Sequence, residues 1–485
     1  MSAVPSASRW PGRVVWLGSI AYAVVLTALS LKRLHDFHAS YDLAIFDQLT
    51  WLLGHFHDPF STVRGRAMLA DHFEPGLAVL APIGALSAGP WLLLAAQSVG
   101  LAAAAPVLFA IGKARGADPL PAAAVALLWL ASPLTQDTNL FDFHPEAFVP
   151  LLFALSVLGL ARSSTTLFVV SGVLAASLKE DVALTYAALG VGIVLLGRRP
   201  LGAAVAAAGV VWFALATTVG IHLAGGNLSY YSQRFGGGTS ASVGLVFHDF
   251  VRHPIRGLGT VSFRLNLKMV LGLVGSTLGL CLLGPEILIA AVPSVAANIL
   301  SRYPQQHYLT LQYHIVPAGV CAAAAAWGVS RLPPLRGRRR IAVVGATAAA
   351  CVFFLGFSPG IHVARGRYSE TPHDSPAIAS ARRAALRLLP AGVPVAVQID
   401  AVAHVAERRD VYVFPEPFVR ATGNGENWSV AELRRRAAQV QYVLVDDGPT
   451  FPATASDARQ VRSRLRQLGF ERIYSRSGIQ VFRRR

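Results

Sequence analysis

Five short polar clusters interrupt an otherwise apolar chain: Asp42 to Asp47, Asp71 to Glu74, Asp142 to Glu146, Lys179 to Asp181 and Gln305 to His314. Their carboxylates can accept protons or bind cations, their imidazoles can shuttle protons or ligate metals, and the ammonium of Lys179 can hold an anion. Ionisable groups next to hydrocarbon are costly, so several gathered at one membrane face read as a site rather than a scaffold.

Each cluster also has a plain structural reading. In Tyr41 to Trp51, the spacing of Leu43, Phe46, Leu49 and Leu53 predicts a helix lying along the membrane surface. Asp42 is then its N-cap, or one of Asp42 and Asp47 acts alone as a general base. Asp42 and Asp47 stand about 140° apart around such a helix, so they do not form a carboxylate dyad. Asp71-His72-Phe73-Glu74-Pro75 and Asp142-Phe143-His144-Pro145-Glu146 share a form. Proline with acids at a helix start explains both structurally, and a divalent cation held by carboxylate and imidazole is the functional alternative, without any HExxH register behind it. Lys179-Glu180-Asp181 is either a self-neutralising interfacial ion pair or a place where Lys179 holds an anionic group. Arg252, Arg256, Arg264 and Lys268 form a basic stripe, with Arg264 and Lys268 on one helix face. It suits a lipid phosphate or a general headgroup anchor. His307, Gln312, Tyr313 and His314 bring imidazole, amide and phenol groups that suit a hydroxyl-rich ligand or an interfacial belt.

The elements that must position these residues follow from composition. Of 485 residues, 53% are hydrophobic and only 14% charged, with mean hydropathy +0.48. A soluble domain carries about 25% charged residues. Apolar runs recur from Val14 to Phe357, so the bilayer is the solvent for most of the chain. The net charge of +17 has a membrane explanation rather than a nucleic-acid one. Lys113, Arg115, Arg162, Arg198, Arg199 and the run Arg331 to Arg340 mark loops that stay in the cytoplasm. With the N-terminus inside as well, the polar clusters fall outside. Leu134 to Glu146 is then an outer turn, and Thr166 to Leu178 and Val182 to Gly197 are either two short helices meeting outside or a shallow pair with the charges at the outer interface. Gly76 to Leu86 either dips into the bilayer without crossing, or Lys113 and Arg115 break the charge rule. The total is roughly eleven to thirteen helices in an all-α polytopic bundle over residues 1–361, with the first external loop at 32–75. Cys281, Cys321 and Cys351 lie in apolar segments with no metal or disulfide spacing.

From His362 onward the pattern becomes that of a small soluble α/β domain, residues 362–485, outside the cell membrane. Strands are expected at Val393 to Ile399, Val411 to Phe414 and Tyr442 to Val445, and helices at Ala401 to Glu407, Val430 to Gln439 and Ala455 to Leu468. A closing hairpin, Arg472 to Arg483, turns at Ser477-Gly478.

Asp42-Leu43-x-x-Phe46-Asp47-Gln48-x-x-Trp51, His72-Phe73-Glu74-Pro75, Asp142-x-His144-Pro145-Glu146, Lys179-Glu180-Asp181 and Gln312-Tyr313-His314, in that order, resemble the prokaryotic membrane-protein family termed domain of unknown function 2079. That family is itself similar to the GT-C glycosyltransferases, among them protein O-mannosyltransferases and the lipid A aminoarabinose transferase. The resemblance implies a many-helix membrane fold, a catalytic aspartate in the first external loop, and sugar transfer from a polyprenyl-phosphate carrier to an extracytoplasmic acceptor. By position the catalytic acid is Asp42, although Leu43 stands where the commoner pattern has a second acid. Lys179, Arg264 and Lys268 would hold the carrier phosphate, and His72, Glu74, His144, Glu146 and His314 would line the sugar or acceptor pocket. Asp47, Asp142, Glu180, Asp181, His307, Gln312 and Tyr313 complete the candidate site. The resemblance allows a divalent cation without requiring one. The alternative is a transporter, or a non-enzymatic binder of lipid or polysaccharide in the cell envelope. A lipid-open groove beside Asp42 favours transfer; a polar path through the bilayer favours transport.

Overall fold

The computed structural model describes residues 10–39, 41–227, 234–235, 252, 263–367, 376–419, 429–446 and 454–485. Arg256, in the expected basic stripe, lies outside the described residues.

Five described helices are long and apolar enough to cross a bilayer: Trp10–His35, Trp91–Ala114, Arg199–Leu223, Gln312–Arg331 and Arg338–Gly356. Shorter apolar helices fill the space between them, including Pro145–Ala161, Thr165–Ala176, Val182–Leu195 and Pro285–Leu300. The 165–176 and 182–195 helices are separate, as expected, with Ser177 to Asp181 between them. The question over Gly76 to Leu86 is resolved by length. Pro75–Leu80 is a 3-10 turn followed by a four-residue helix, Ala81–Gly84. Six 3-10 residues and four α-helical ones reach about 18 Å, well short of a ~30 Å hydrocarbon core, so this segment is too short to cross.

Chain direction then sorts the loops. The polar clusters fall at one end of the bundle, and the basic loops at the other. At the basic end Arg115 lies 4.1 Å from the Trp327 ring centroid, and Arg331 pairs with Glu286 at 2.6 Å. The segment expected to be an outer turn is instead mostly helix. Pro133–Leu140 is buried through Thr135, Gln136, Thr138 and Asn139. Asn139 Nδ2 donates to Ser98 Oγ at 2.9 Å, and Tyr22 Oη donates to the Thr135 carbonyl at 3.2 Å. These bonds anchor the polar segment to the two long helices beside it.

Beyond the bundle, five strands form a mixed sheet: β3 (Val395–Val397), β4 (Val411–Val413), β5 (Tyr442–Val445), β6 (Phe470–Arg476) and β7 (Ile479–Arg484). The order is β4-β3-β5-β7-β6, with β3 parallel to β4 and β5, and β7 antiparallel to β5 and β6. The hairpin turn expected at Ser477-Gly478 is present, both residues with positive φ (49° and 81°). A helix at Pro376–Leu386 precedes the sheet and was not expected.

This domain does not hang free. Gln48, on the interfacial helix Tyr41–Gly54, donates to the carbonyls of Arg408 and Arg409 at 3.2 and 3.1 Å. Thr62, just beyond the short strand β1 (Phe60–Ser61) that pairs with β2 (Arg66–Ala67), accepts from Val411 N at 2.9 Å. Leu43, Leu49, Val63, Val395, Val402 and Val413 share one apolar core. The domain therefore sits on the first loop, at the polar end of the bundle.

Candidate functional site

The interfacial helix begins at Tyr41, so Asp42 is inside its first turn rather than capping it. The cap comes from elsewhere: the Asp142 carboxylate accepts from Leu43 N at 3.3 Å, across 99 residues of sequence. A carboxylate there satisfies an orphan N–H and complements the helix dipole. Asp42 is left to face His144, whose Nε2 lies 3.3 Å from Asp42 Oδ2.

His144 is held from three sides. Its backbone N donates to Gln97 Oε1 at 2.9 Å, its Nδ1 lies 3.1 Å from the Asp142 carbonyl, and Phe141 stacks on its ring at 5.5 Å. Gln97 Nε2 in turn donates to the carbonyls of Thr138, Asn139 and Asp142. A carbonyl and a carboxylate both accept, so the imidazolium, with a proton on each nitrogen, is the form that satisfies both contacts. Burial opposes that charge, but the Asp42 hydrogen bond and charge, with Glu146 and the Asp142 carbonyl, outweigh it and raise the pKa of His144.

Next to this pair, Lys179 Nζ donates to Glu146 Oε1 at 2.6 Å. Burial disfavours the ammonium, yet Glu146, Asp181 and Glu180 push the Lys179 pKa up and keep it charged. His72 Nδ1 lies 3.0 Å from Glu180 Oε1, and Glu180 Oε2 accepts from Phe73 N at 2.8 Å. Asp71 is gripped by the Arg64 guanidinium at 2.7 and 3.0 Å and by Arg66 at 3.3 Å. Burial works against its charge, but the two arginines hold its carboxyl well below the usual range. Glu74 is the opposite case. Burial, then Glu146, Asp71 and Glu180, raise its pKa, favouring a neutral carboxyl that can donate a hydrogen bond.

Together these groups line a cavity of about 490 Å³. Asp42, His72, Glu74, Asp142, His144, Glu146, Lys179, Gln312 and Tyr313 all contribute to its wall, and Ile399 of the sheet domain closes one side. A smaller cavity of about 200 Å³ adjoins it and shares Glu146, Lys179, Arg234, Gln312 and Tyr313. Glu180 and Asp181 line this second space, which continues between apolar side chains of three helices, Leu184, Phe213 and Ala297. Arg234 stands at the junction, its guanidinium 5.3 Å from the Tyr303 ring and 5.8 Å from the Tyr313 ring.

Several candidates lie elsewhere. Asp47 is buried on the side facing Glu407 of the sheet domain, where burial and then Glu407 raise its pKa, and it lines neither cavity. Arg264 and Lys268 are exposed on helix Phe263–Gly275 and line neither cavity. His307 uses both ring nitrogens structurally, at 2.9 Å from Asn266 Oδ1 and 2.8 Å from the Ser301 carbonyl. His314 is buried beside Asn298. Among the described residues, no group of three His, Cys, Asp or Glu side chains converges as a metal site would. The two acid-histidine repeats do not share a ligand set, because Asp71 pairs with arginines and His72 with Glu180.

Sequence reasoning missed Gln97, Arg64, Arg66 and Arg234. Gln97 had a readable signal, an amide within an apolar span, which needs internal partners. Arg234 sits in a glycine-rich stretch and had none beyond its charge.

An apolar helical bundle whose first loop returns an acid to a polar cavity, with an α/β domain seated over that cavity, is a GT-C type membrane fold. The chain belongs to the family described as predicted membrane protein (DUF2079), whose profile matches residues 33–479. It is similar to the crystal structure of ArnT from Cupriavidus metallidurans bound to undecaprenyl phosphate. The TM-score is 0.53 at 14% identity, over 96% of this chain and 97% of that one. It is also similar to the archaeal oligosaccharyltransferase AglB from Archaeoglobus fulgidus, in complex with an inhibitory peptide and a dolichol-phosphate. Here the TM-score is 0.41 at 14% identity, over 88% of this chain and 69% of that one. No curated protein matches the chain.

Proposed function

We propose that this protein is a membrane glycosyltransferase that moves a sugar from a polyprenyl-phosphate carrier to a hydroxyl-bearing acceptor on the extracytoplasmic side. The domain over the cavity, residues 362–485, and the cavity itself face outward in this reading, and the N-terminus is cytoplasmic. The observation that carries it is the adjacency of two spaces: the polar cavity holding Asp42 shares Lys179 and Arg234 with a second space that runs between the apolar side chains of Leu184, Phe213 and Ala297 on three helices. A lipid-linked phosphate needs that combination, cations at the head and hydrocarbon beyond. The ArnT structure, with undecaprenyl phosphate bound, supports the choice of carrier class.

In the reaction, the acceptor oxygen attacks the anomeric carbon while the bond from that carbon to the phosphate oxygen breaks. The bonding pair leaves on the phosphate, where Lys179 and Arg234 offset the developing charge. Asp42 takes the acceptor's proton, with His144 holding one carboxylate oxygen so that the other faces the cavity. Glu74, neutral, can donate to a sugar oxygen. Transport fits less well, because among the described residues helix Ile315–Gly328 packs Cys321 and Ala322 to Ala326 into the core and presents no polar side chain along that stretch.

The test compares envelope glycans and glycolipids from cells lacking the protein, then restored with wild type or Asp42→Asn. Loss of one sugar that wild type restores, and that Asp42→Asn restores at least about a hundredfold more slowly, is expected. Full restoration by Asp42→Asn, at equal folded protein, removes Asp42 from the mechanism.

A further inference from the structure

Two neighbouring residues on the helix that carries Asp42 meet the sheet domain in opposite states. Gln48 is satisfied at both ends of its amide. Its Nε2 donates to Thr62 Oγ1 at 2.8 Å as well as to the Arg408 and Arg409 carbonyls, and its Oε1 accepts from Ser61 Oγ at 2.9 Å and Val63 N at 3.2 Å. Asp47 is 3% exposed, and its Oδ2 is buried with no hydrogen-bond partner. The charged group that acts on it across the seam is Glu407, a second carboxylate, whose Oε1 accepts from Gly89 N at 2.8 Å. The cations around the seam are committed elsewhere. Arg408 donates to the carbonyls of Val405, Pro390 and Val393, Arg409 lies 3.2 Å from His57, and Arg64 grips Asp71. Of the other titratable groups on the packed elements, Asp400 pairs with Arg382, His404 packs on the Phe37 ring, His55 lies 2.9 Å from the Trp51 carbonyl, and Asp42 faces His144.

A seam built only for adhesion would carry an apolar or paired side chain at this position, because a buried carboxyl without a partner weakens the contact it sits in. What the acid adds is a response to protons. Burial, then the Glu407 charge, push the Asp47 carboxyl up, and burial pushes Glu407 up as well, against the Gly89 N–H and His55. With the domain seated, the pair holds protons that it releases when the seam opens to water. Seating is therefore strongest below the ordinary carboxylate value of about 4, and is lost as pH rises through the raised values. The same domain supplies Ile399 to the wall of the Asp42 cavity. We propose that Asp47 and Glu407 form a proton-operated latch on that wall: the protonated pair keeps the domain seated and Ile399 against the cavity, and the ionised pair loosens the seam and opens the cavity to solvent. The latch acts whether or not the protein transfers sugar.

Ile399 is 7% exposed, so Ile399→Cys reports the seam through its rate of reaction with a maleimide. The full chain is used in neutral detergent, with its three native cysteines replaced by alanine. Dividing that rate by the rate of the same reporter carrying Asp47→Asn cancels the thiol's own titration. From about pH 5 to about pH 8 the ratio should rise by about tenfold or more, since one proton released on opening allows up to tenfold per pH unit. The ratio taken against Glu407→Gln, which removes the facing charge, should rise by about threefold or more. Both substitutions keep the size of the acid they replace, and cooperative melting verifies the fold. Glu407 is only half-buried, so its variant decides the matter even where Asp47→Asn fails to fold. Either ratio constant with pH, or an Ile399→Cys that reacts at no pH in the range, overturns the latch.

Discussion

Asp42 and His144 form the contact in which a proton matters most, because both ring nitrogens of His144 face acceptors while the ring itself is buried. A histidine whose pKa is raised on folding contributes stability that is fully present below its unfolded value of about 6.5. That contribution is lost as pH climbs through the raised folded value. Wild type should therefore exceed Asp42→Asn in stability by about 1 kcal/mol at pH 6, a hydrogen bond to a charged group discounted for the partial exposure of Asp42. The gap should close as pH rises through the raised value of His144. Melting curves of the two proteins across that range decide it, and a gap independent of pH shows that His144 is not charged beside Asp42. The types and order of these residues were legible in the sequence, as was their gathering at one face. Their pairing was not. Asp142 caps a helix that starts 99 residues earlier, and Gln97 holds a loop 47 residues away; such separations leave no periodic trace. Asp47 was legible as an acid on the same short helix, yet the 140° that separates it from Asp42 turns it toward the sheet domain.

The helices that carry the cavity walls approach each other through small residues. Helix Val182–Leu195, which starts directly after Asp181, packs on Arg199–Leu215, whose far end supplies Phe213 to the cleft. A Cβ added at Gly209 would meet the Ala183 carbonyl oxygen at 2.5 Å and Ala187 N at 2.7 Å; one at Gly202 would meet Gly190 O at 2.5 Å. Close backbone approach of this kind is how membrane helices gain van der Waals contact without a hydrophobic driving force. Gly209→Leu must push the two helices apart, costing about 1–3 kcal/mol and widening the cleft. Gly345→Leu, on a helix where an added Cβ meets nothing within 4 Å, should leave melting unchanged. Equal melting of both variants would show that this helix pair is loosely packed. Elements with strong periodicity were readable to the residue: helix Val430–Gln439 and strand Tyr442–Val445 have the expected bounds. Helix Pro133–Leu140 was not, because its buried face is polar and its partners are backbone carbonyls and hydroxyls rather than an apolar stripe.

Both ends of the bundle are chemically unlike, and that asymmetry carries the orientation of the molecule. Lys113, Arg115, Arg162, Arg198 and Arg199 lie on or beside short loops at one end, with Arg198 donating to the Leu160 carbonyl at 3.4 Å. The opposite end holds the cavity, the interfacial helix and the sheet domain. Short loops rich in lysine and arginine are retained in the cytoplasm, so the cavity end should face out. The sheet domain offers a direct test, since the Ser477-Gly478 turn projects from its edge hairpin. Ser477→Cys, in a chain with its three native cysteines replaced by alanine, should react with a membrane-impermeant maleimide in intact cells. Arg162→Cys should react only after lysis. Labelling of Arg162→Cys alone in intact cells would invert the topology and put the cavity in the cytoplasm. A polyprenyl-linked donor used outside the cell could not then reach Asp42, and the proposed transfer would fail on geometry before any chemistry was measured.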